Sequence, residues 1–228
     1  MLLHILTIEQ VQYAWIWWII PLLSGLCGIL IAALSDKDAT NIVILGLPAS
    51  GKTTLFKKLG ALIDNGSQVN TPIRDIAKFT FKRSNGDVVT VEKTKDLGGQ
   101  DEYVKEYDAI IEKESTFIYF VLKMDDLYPN NSFTISHEKK YMLPIVSRLG
   151  KINKIIKDKH IEKTGLGFII THFDEYKKIN PTASKEVIES DLRYNFRLKK
   201  ESIVLIGNLL DDSFISQIKD RIGIKNEQ

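Results

Sequence analysis

The stretch Gly46-Leu47-Pro48-Ala49-Ser50-Gly51-Lys52-Thr53 lies between a β-branched run, Asn41 to Leu45, and a segment with helical spacing. It fits the pattern GxxxxGK[ST], whose chemistry needs that order of strand, loop and helix. Glycines let the loop wrap until its backbone N–H groups point inward at phosphate oxygens, and the helix N-terminus adds partial positive charge. Lys52 is then placed to bridge the β- and γ-phosphates of a nucleotide, and the Thr53 hydroxyl to ligate Mg²⁺. Ala49, Ser50, Gly51 and Thr54 belong to the same cradle. The pattern alone does not separate ATP from GTP.

Outward from this loop, the chain alternates strands and helices. The helix after the loop places Leu55, Phe56, Leu59, Leu62 and Ile63 on one face, and Asn65-Gly66 is expected to stop it. Ile76 to Arg83 and Val88 to Lys95 read as two strands of a hairpin, with Asn85-Gly86 supplying the positive φ angles of the turn. Thr116 to Leu122, Gly167 to Thr171 and Ser202 to Ile206 are short buried strands. Helices are expected at about Asp101 to Glu114, His137 to Lys157, Ser184 to Asn195 and Ser213 to Ile222. Such alternation predicts an α/β fold with a mostly parallel central sheet flanked by helices. Lys151, Lys154 and Lys157, beside Ile152, Ile155 and Ile156, read as a solvated helix face.

A second element of chemistry is Asp96-Leu97-Gly98-Gly99-Gln100, directly after the second hairpin strand. An acid there can hold Mg²⁺, and the Gly98-Gly99 pair lets a backbone N–H approach a γ-phosphate. Gln100 can then orient an attacking water.

GLPASGKTTL (46–55) followed by DLGGQDEY (96–103) resembles the Arf and Sar branch of small GTPases and their relatives. Those relatives include the signal recognition particle receptor beta subunit, likewise a GTPase on an N-terminal membrane span. In order of elements the resemblance runs from Asn41 to Ile222; in residue identity it is specific near the two phosphate motifs. It implies a P-loop GTPase domain over 41–228 that binds GTP and GDP with Mg²⁺. Thr71, in Asn70-Thr71-Pro72, stands where the family's first switch threonine stands, and would join Thr53 and Asp96 at the metal only when a γ-phosphate is present. The family's NKxD base motif reads Thr171-His172-Phe173-Asp174 here. Asp174 keeps the carboxylate that accepts from guanine N1–H and the exocyclic amine, a pair adenine does not offer. Asparagine and lysine are both replaced, so His172 would stack where the lysine stem lies. Gly207-Asn208-Leu209 occupies the place of the family's last guanine loop without matching its letters, and Lys95 stands where Arf proteins carry tryptophan.

The first 38 of the 228 residues differ from the rest. No charge occurs from Val11 to Ser35, and Tyr13 to Leu34 is almost wholly apolar, with Tyr13, Trp15, Trp17 and Trp18 at its leading end. About 20 residues at about 1.5 Å each span a hydrocarbon core, and amphipathic rings favour its interface. The expected organisation is a tail (1–12), a transmembrane helix (13–34), a connector (35–40) and the nucleotide-binding domain. Residues 1–12 contain no Lys or Arg, unlike a signal peptide. Pro21 is expected to kink the span, and Ser24, Gly28 and Ala32 form a small-residue stripe along it. Cys27, the only cysteine, also falls there, so the remainder has no thiol for a disulfide or a metal. Glu9, Asp36, Lys37 and Asp38 give this part a net −2 against +2 for the chain, leaving a mild +4 elsewhere, too little to imply nucleic acid. Leu2 replaces the glycine needed for myristoylation and the C-terminal KNEQ has no prenylation cysteine, which again points to a helix as the anchor.

The expectation is therefore a single-pass membrane protein with its GTPase domain in the cytoplasm. It would act as a slow, nucleotide-dependent switch for a protein partner, served by an activating protein or an exchange factor. The alternative is a receptor or scaffold subunit that holds GTP with little hydrolysis. An ATP-using kinase or transport ATPase fits less well, because no second catalytic motif of those classes is present.

Overall fold

The computed structural model describes residues 40–62, 73–111, 116–132, 135–136, 138–159 and 166–223. The expected tail, transmembrane helix and connector up to Ala39, and the switch threonine Thr71, lie outside the described residues. Among the described residues, no helix is long and apolar enough to cross a membrane.

Four strands form a parallel sheet in the order β1 (Asn41–Gly46), β6 (Thr116–Lys123), β7 (Leu166–Thr171), β8 (Val204–Ile206). The expected α/β class, with a parallel sheet flanked by helices, is observed. Period-two alternation explains how one sheet carries two cores. Ile42, Ile44, Tyr119, Val121 and Ile169 point to one face, and Val43, Leu45, Ile118, Phe120, Leu122, Phe168 and Ile170 to the other. The first face is covered by Leu55, Phe56 and Leu59 of α1 (Lys52–Leu59) and by Phe214, Ile215 and Ile218 of α7 (Asp212–Arg221). The second is covered by Ile145, Leu149 and Ile152 of α4 (Lys139–Asp158) and by Ile188 and Leu192 of α6 (Lys185–Phe196).

The hairpin is interrupted. Four short strands replace the expected two: β2 (Arg74–Ile76) pairs with β5 (Thr94–Asp96), and β3 (Phe79–Lys82) with β4 (Val88–Val91), both antiparallel. Thr40 bonds to both Thr90 and Glu92, which hangs the hairpin beside β1. Helix α1 stops at Gly60, six residues before Gly66, because Gly60 adopts φ 107° and its N–H closes the last turn on Lys57 and Phe56. Leu62 is accordingly exposed and not part of the helix face.

The segment expected to be one helix from Asp101 is a 3₁₀ turn, Asp101–Glu106, leading into the short α2 (Tyr107–Ile110). Two further helices, α3 (Met124–Leu127) and α5 (Phe173–Ile179), follow β6 and β7 directly. Each has two acids in its first turn, where the helix dipole favours them. On α4, Ile152 and Ile155 are buried and Lys154 and Lys157 exposed, as expected of a solvated face, while Lys151 is half-buried.

Because the four strands are parallel, their C-terminal ends Gly46, Lys123, Thr171 and Ile206 emerge at one end of the sheet. In open α/β sheets that is where ligands bind.

Candidate functional site

The loops leaving β1, β5, β7 and β8 enclose a cleft of about 550 Å³. Its wall includes Ala49, Ser50, Gly51, Lys52, Thr53 and Thr54 from the first loop and helix, Gly99 and Gln100 from the DLGGQ segment, and Thr171, His172, Asp174 and Asn208. Residues far apart in sequence and singled out separately thus share one wall.

The first loop owes its shape to its own bonds. The Ser50 side chain is fully buried and donates to the Leu47 carbonyl at 2.9 Å, so only its backbone is available to a ligand. Ala49 and Gly51 both have positive φ, and a Cβ on Gly51 would come within 2.7 Å of Leu209. Helix α1 begins at Lys52 without a side-chain cap. Its first N–H groups are therefore the unsatisfied donors of a helix start, facing the cleft. Lys52 Nζ donates to the Leu47 carbonyl at 2.7 Å and approaches that of Gly46 at 3.4 Å. Burial lowers its pKa from 10.5 to about 8, opposed by the nearby Asp96 charge.

The Thr53 hydroxyl donates to Asp96 Oδ2 at 2.6 Å, bringing together two of the three expected metal ligands. Asp96 is fully buried, and its Oδ1 has no hydrogen-bond partner. Burial raises the carboxyl pKa, while the Thr53 bond and the Lys52 charge hold it down. A buried carboxylate oxygen without a donor is costly alone and suited to a cation, so the pair fits Mg²⁺. Among the described residues no cluster of three or more His, Cys, Asp or Glu could cage a metal.

Gly99 packs directly on the first loop: a Cβ there would lie 2.1 Å from Pro48 N and 2.4 Å from the Leu47 carbonyl oxygen. No side chain fits between these two backbones. The DLGGQ segment is thereby seated against the first loop, with Gln100 at the cleft wall.

At the other loops, Thr171 takes a tethering role that its position in the THFD motif did not reveal. Its hydroxyl lies 3.0 Å from the Ser50 carbonyl, 3.3 Å from that of Leu122 and 2.8 Å from His172 Nδ1. The hydroxyl so ties the end of β7 to the first loop through Ser50, to β6 through Leu122 and to the His172 ring. His172 itself has φ 62° and turns the chain into α5, which carries Asp174 in its first turn. Asp174 Oδ1 is buried and has no partner, although the residue lines the cleft.

Gly207 does not line the cleft; its absent Cβ makes room for the Phe214 ring, 2.5 Å from where that atom would be. After it, Asn208, Leu209 and Leu210 line the cleft, and the Asn208 side chain accepts from Leu210 N. Arg74, Lys57 and Glu175 also line the cleft. Arg74 comes there through strand register: β2 pairs with β5, placing it directly opposite Asp96. Arg83, the other arginine near the hairpin, is turned away to bond the Lys219 and Ile222 carbonyls at the end of α7.

No protein-family model matches the chain, and no curated protein does. The likeness to the Arf and Sar branch rests on GLPASGKTTL and DLGGQDEY and on the order of elements.

Proposed function

We propose that the chain is a membrane-anchored GTPase of the P-loop class that binds GTP and GDP with Mg²⁺ and acts as a nucleotide-dependent switch for a partner protein. The phosphate half of this reading draws on the helix start at Lys52, the Thr53–Asp96 pair and the seating of Gly99 on Leu47–Pro48. Bound Mg²⁺ would neutralise phosphate charge. Lys52 would exchange its carbonyl acceptors for phosphate oxygens, the backbone N–H of Gly99 would meet the terminal phosphate, and Gln100 would hold an attacking water in line.

One observation carries the guanine half: the buried, unpartnered Asp174 Oδ1 in the cleft wall. A carboxylate in that state is relieved by the two neighbouring donors of a guanine edge, whereas adenine would leave it unpaired. Residues 13–34 would tether the domain to a bilayer, and GTP supply would put the domain on the cytoplasmic side.

The test is equilibrium binding of GTP, GDP and ATP to the full chain in detergent, with Asp174→Asn and Lys52→Met beside the parent. GTP and GDP should bind at least about a hundredfold more tightly than ATP, and Asp174→Asn should remove most of that margin. Equal competition by ATP rejects the guanine reading. GTP retained through purification and never hydrolysed, even with a partner present, moves the function from switch to GTP-holding scaffold.

A further inference from the structure

Helix α4 buries Ile145, Leu149 and Ile152, and Arg148 falls within the same inward stripe with only 3% of its surface exposed. Packing alone would be served better by leucine or methionine, because desolvating a guanidinium costs several kcal/mol unless its donors are satisfied. The donors of Arg148 are met at one corner. Nη2 bonds Asp101 Oδ1 at 2.7 Å, while Nε and Nη1 are buried and have no partner among the described residues. The partner is unlike it: the Asp101 side chain is 90% exposed and follows Gln100 directly.

The segment that Asp101 opens has little else to hold it. The 3₁₀ turn Asp101–Glu106 buries no residue, and Gln100 caps it without a side-chain bond. Besides the Arg148 link, its ties are the Tyr103 N–H to the Gln100 carbonyl at 3.2 Å, the Tyr107 N–H to the Val104 carbonyl, the half-buried Val104 side chain against the core, and the buried Tyr107 just beyond. Arg148 also lies close enough to the phosphate end for its charge to oppose that of Lys52. A fixed cation under the site therefore grips, through one exposed acid, the residue next to the glutamine.

On the GTPase reading, we propose that Arg148 is a positioning residue: through Asp101 it sets Gln100 at the cleft wall, and its unused Nε and Nη1 donors take a second acceptor from residues 98–106 when a triphosphate seats against Gly99. The unused donors make the grip two-positioned, loose at one corner without the γ-phosphate and tighter with it.

The experiment uses the full chain in detergent with GDP or a non-hydrolysable GTP analogue, and reads amide hydrogen exchange over residues 98–106 together with nucleotide affinity. Asp101→Ala strips the buried Arg148 of its acid, so urea denaturation of each variant is read beside exchange, and comparisons are made where the variant is fully folded; Asp101→Glu restores the acid. In the parent, the analogue should slow exchange over 98–106 by about tenfold relative to GDP. Asp101→Ala should abolish that difference with GDP affinity within about twofold of the parent, because the cradle 46–54 is untouched. Asp101→Glu should recover part of it. Combining Asp101→Ala with Arg148→Met should be no worse than the poorer single variant, since both break one link. Retention of the full difference in Asp101→Ala, or strictly additive losses in the pair, overturns the inference and leaves the proposed function standing. A parent that binds neither nucleotide overturns the proposed function, and this inference with it.

Discussion

At the scale of single residues, the site is defined by groups held in states that burial disfavours. Lys52 is the clearest. With its folded pKa lowered to about 8 against 10.5, the unfolded chain binds more protons between those values, so the stability of the nucleotide-free protein should rise with pH across that window. Phosphate binding has the opposite sign. A phosphate beside Lys52 raises its pKa, so the complex holds the proton more firmly than the free protein. Affinity should be flat below pH 8 and weaken above it, by about tenfold from pH 7 to pH 9. Paired measurements of nucleotide affinity and thermal midpoint over pH 7 to 10 check both signs. A parallel rise or fall of the two would remove Lys52 from the phosphate site. Gly99 gives a second prediction. A Cβ at 2.1 Å from Pro48 N cannot be relieved by a side-chain rotation, so Gly99→Ala must push the DLGGQ segment off the cradle. Triphosphate hydrolysis should fall by about a hundredfold with GDP affinity nearly unchanged, and single-turnover assays beside GDP titration read the two apart. Lys52, Thr53, Asp96 and Gln100 were legible in the sequence because motif spacing names them. Arg74 was not, since it precedes the strand expected from Ile76 and only the pairing of β2 with β5 brings it opposite Asp96.

At the scale of elements, buried strands were read well and helix limits less well, for a physical reason. Runs such as Phe117 to Leu122 are hydrophobic at successive positions because both sheet faces are covered, and their shortness separates them from the 22-residue apolar run at 13–34. Helix ends depend on one residue's φ. Gly60 ends α1 where the apolar spacing continues to Leu62, and α3 and α5, of four and seven residues, are too short to show a period. The hairpin break does leave a mark: buried Ile76 and Phe79 are three residues apart, as are Val91 and Thr94, so the period-two alternation slips by one at Ala77–Lys78 and at Glu92–Lys93. What anchors the hairpin is a contact between elements. Arg83 gives Nη2 to the Ile222 carbonyl at 2.8 Å and Nε to that of Lys219 at 3.3 Å, and the Ser84 N–H and hydroxyl bond Asp220. A cation on the carbonyl end of α7 gains from the helix dipole as well as from the bonds. Arg83→Ala should therefore lower stability by about 1 to 2 kcal/mol, read by urea denaturation, while nucleotide affinity stays at the parent value. Loss of affinity with no loss of stability would instead put Arg83 in the site.

At the scale of the whole molecule, one end of the sheet gathers every cleft loop, and the chain divides by composition into an apolar beginning and a mildly basic α/β remainder. That division was legible because 22 residues from Tyr13 to Leu34 carry no charge at all, a pattern with few alternatives in water. It has a consequence for how a switch at this cleft would operate. A lipid chain or an amphipathic helix binds marginally, so nucleotide exchange can release it, but a transmembrane helix inserts in effect irreversibly. Nucleotide state would then alter what the domain holds and leave its attachment unchanged. Cells expressing the full chain should retain it in the membrane pellet after alkaline carbonate extraction, where peripheral proteins are stripped. The pelleted fraction should be the same for the parent, for Gln100→Leu and for Lys52→Met, three forms that would differ in bound nucleotide. Recovery of the parent in the carbonate supernatant would remove the tether. A pelleted fraction that tracks nucleotide state across the three forms would mean that attachment runs through the switch segments instead of residues 13–34.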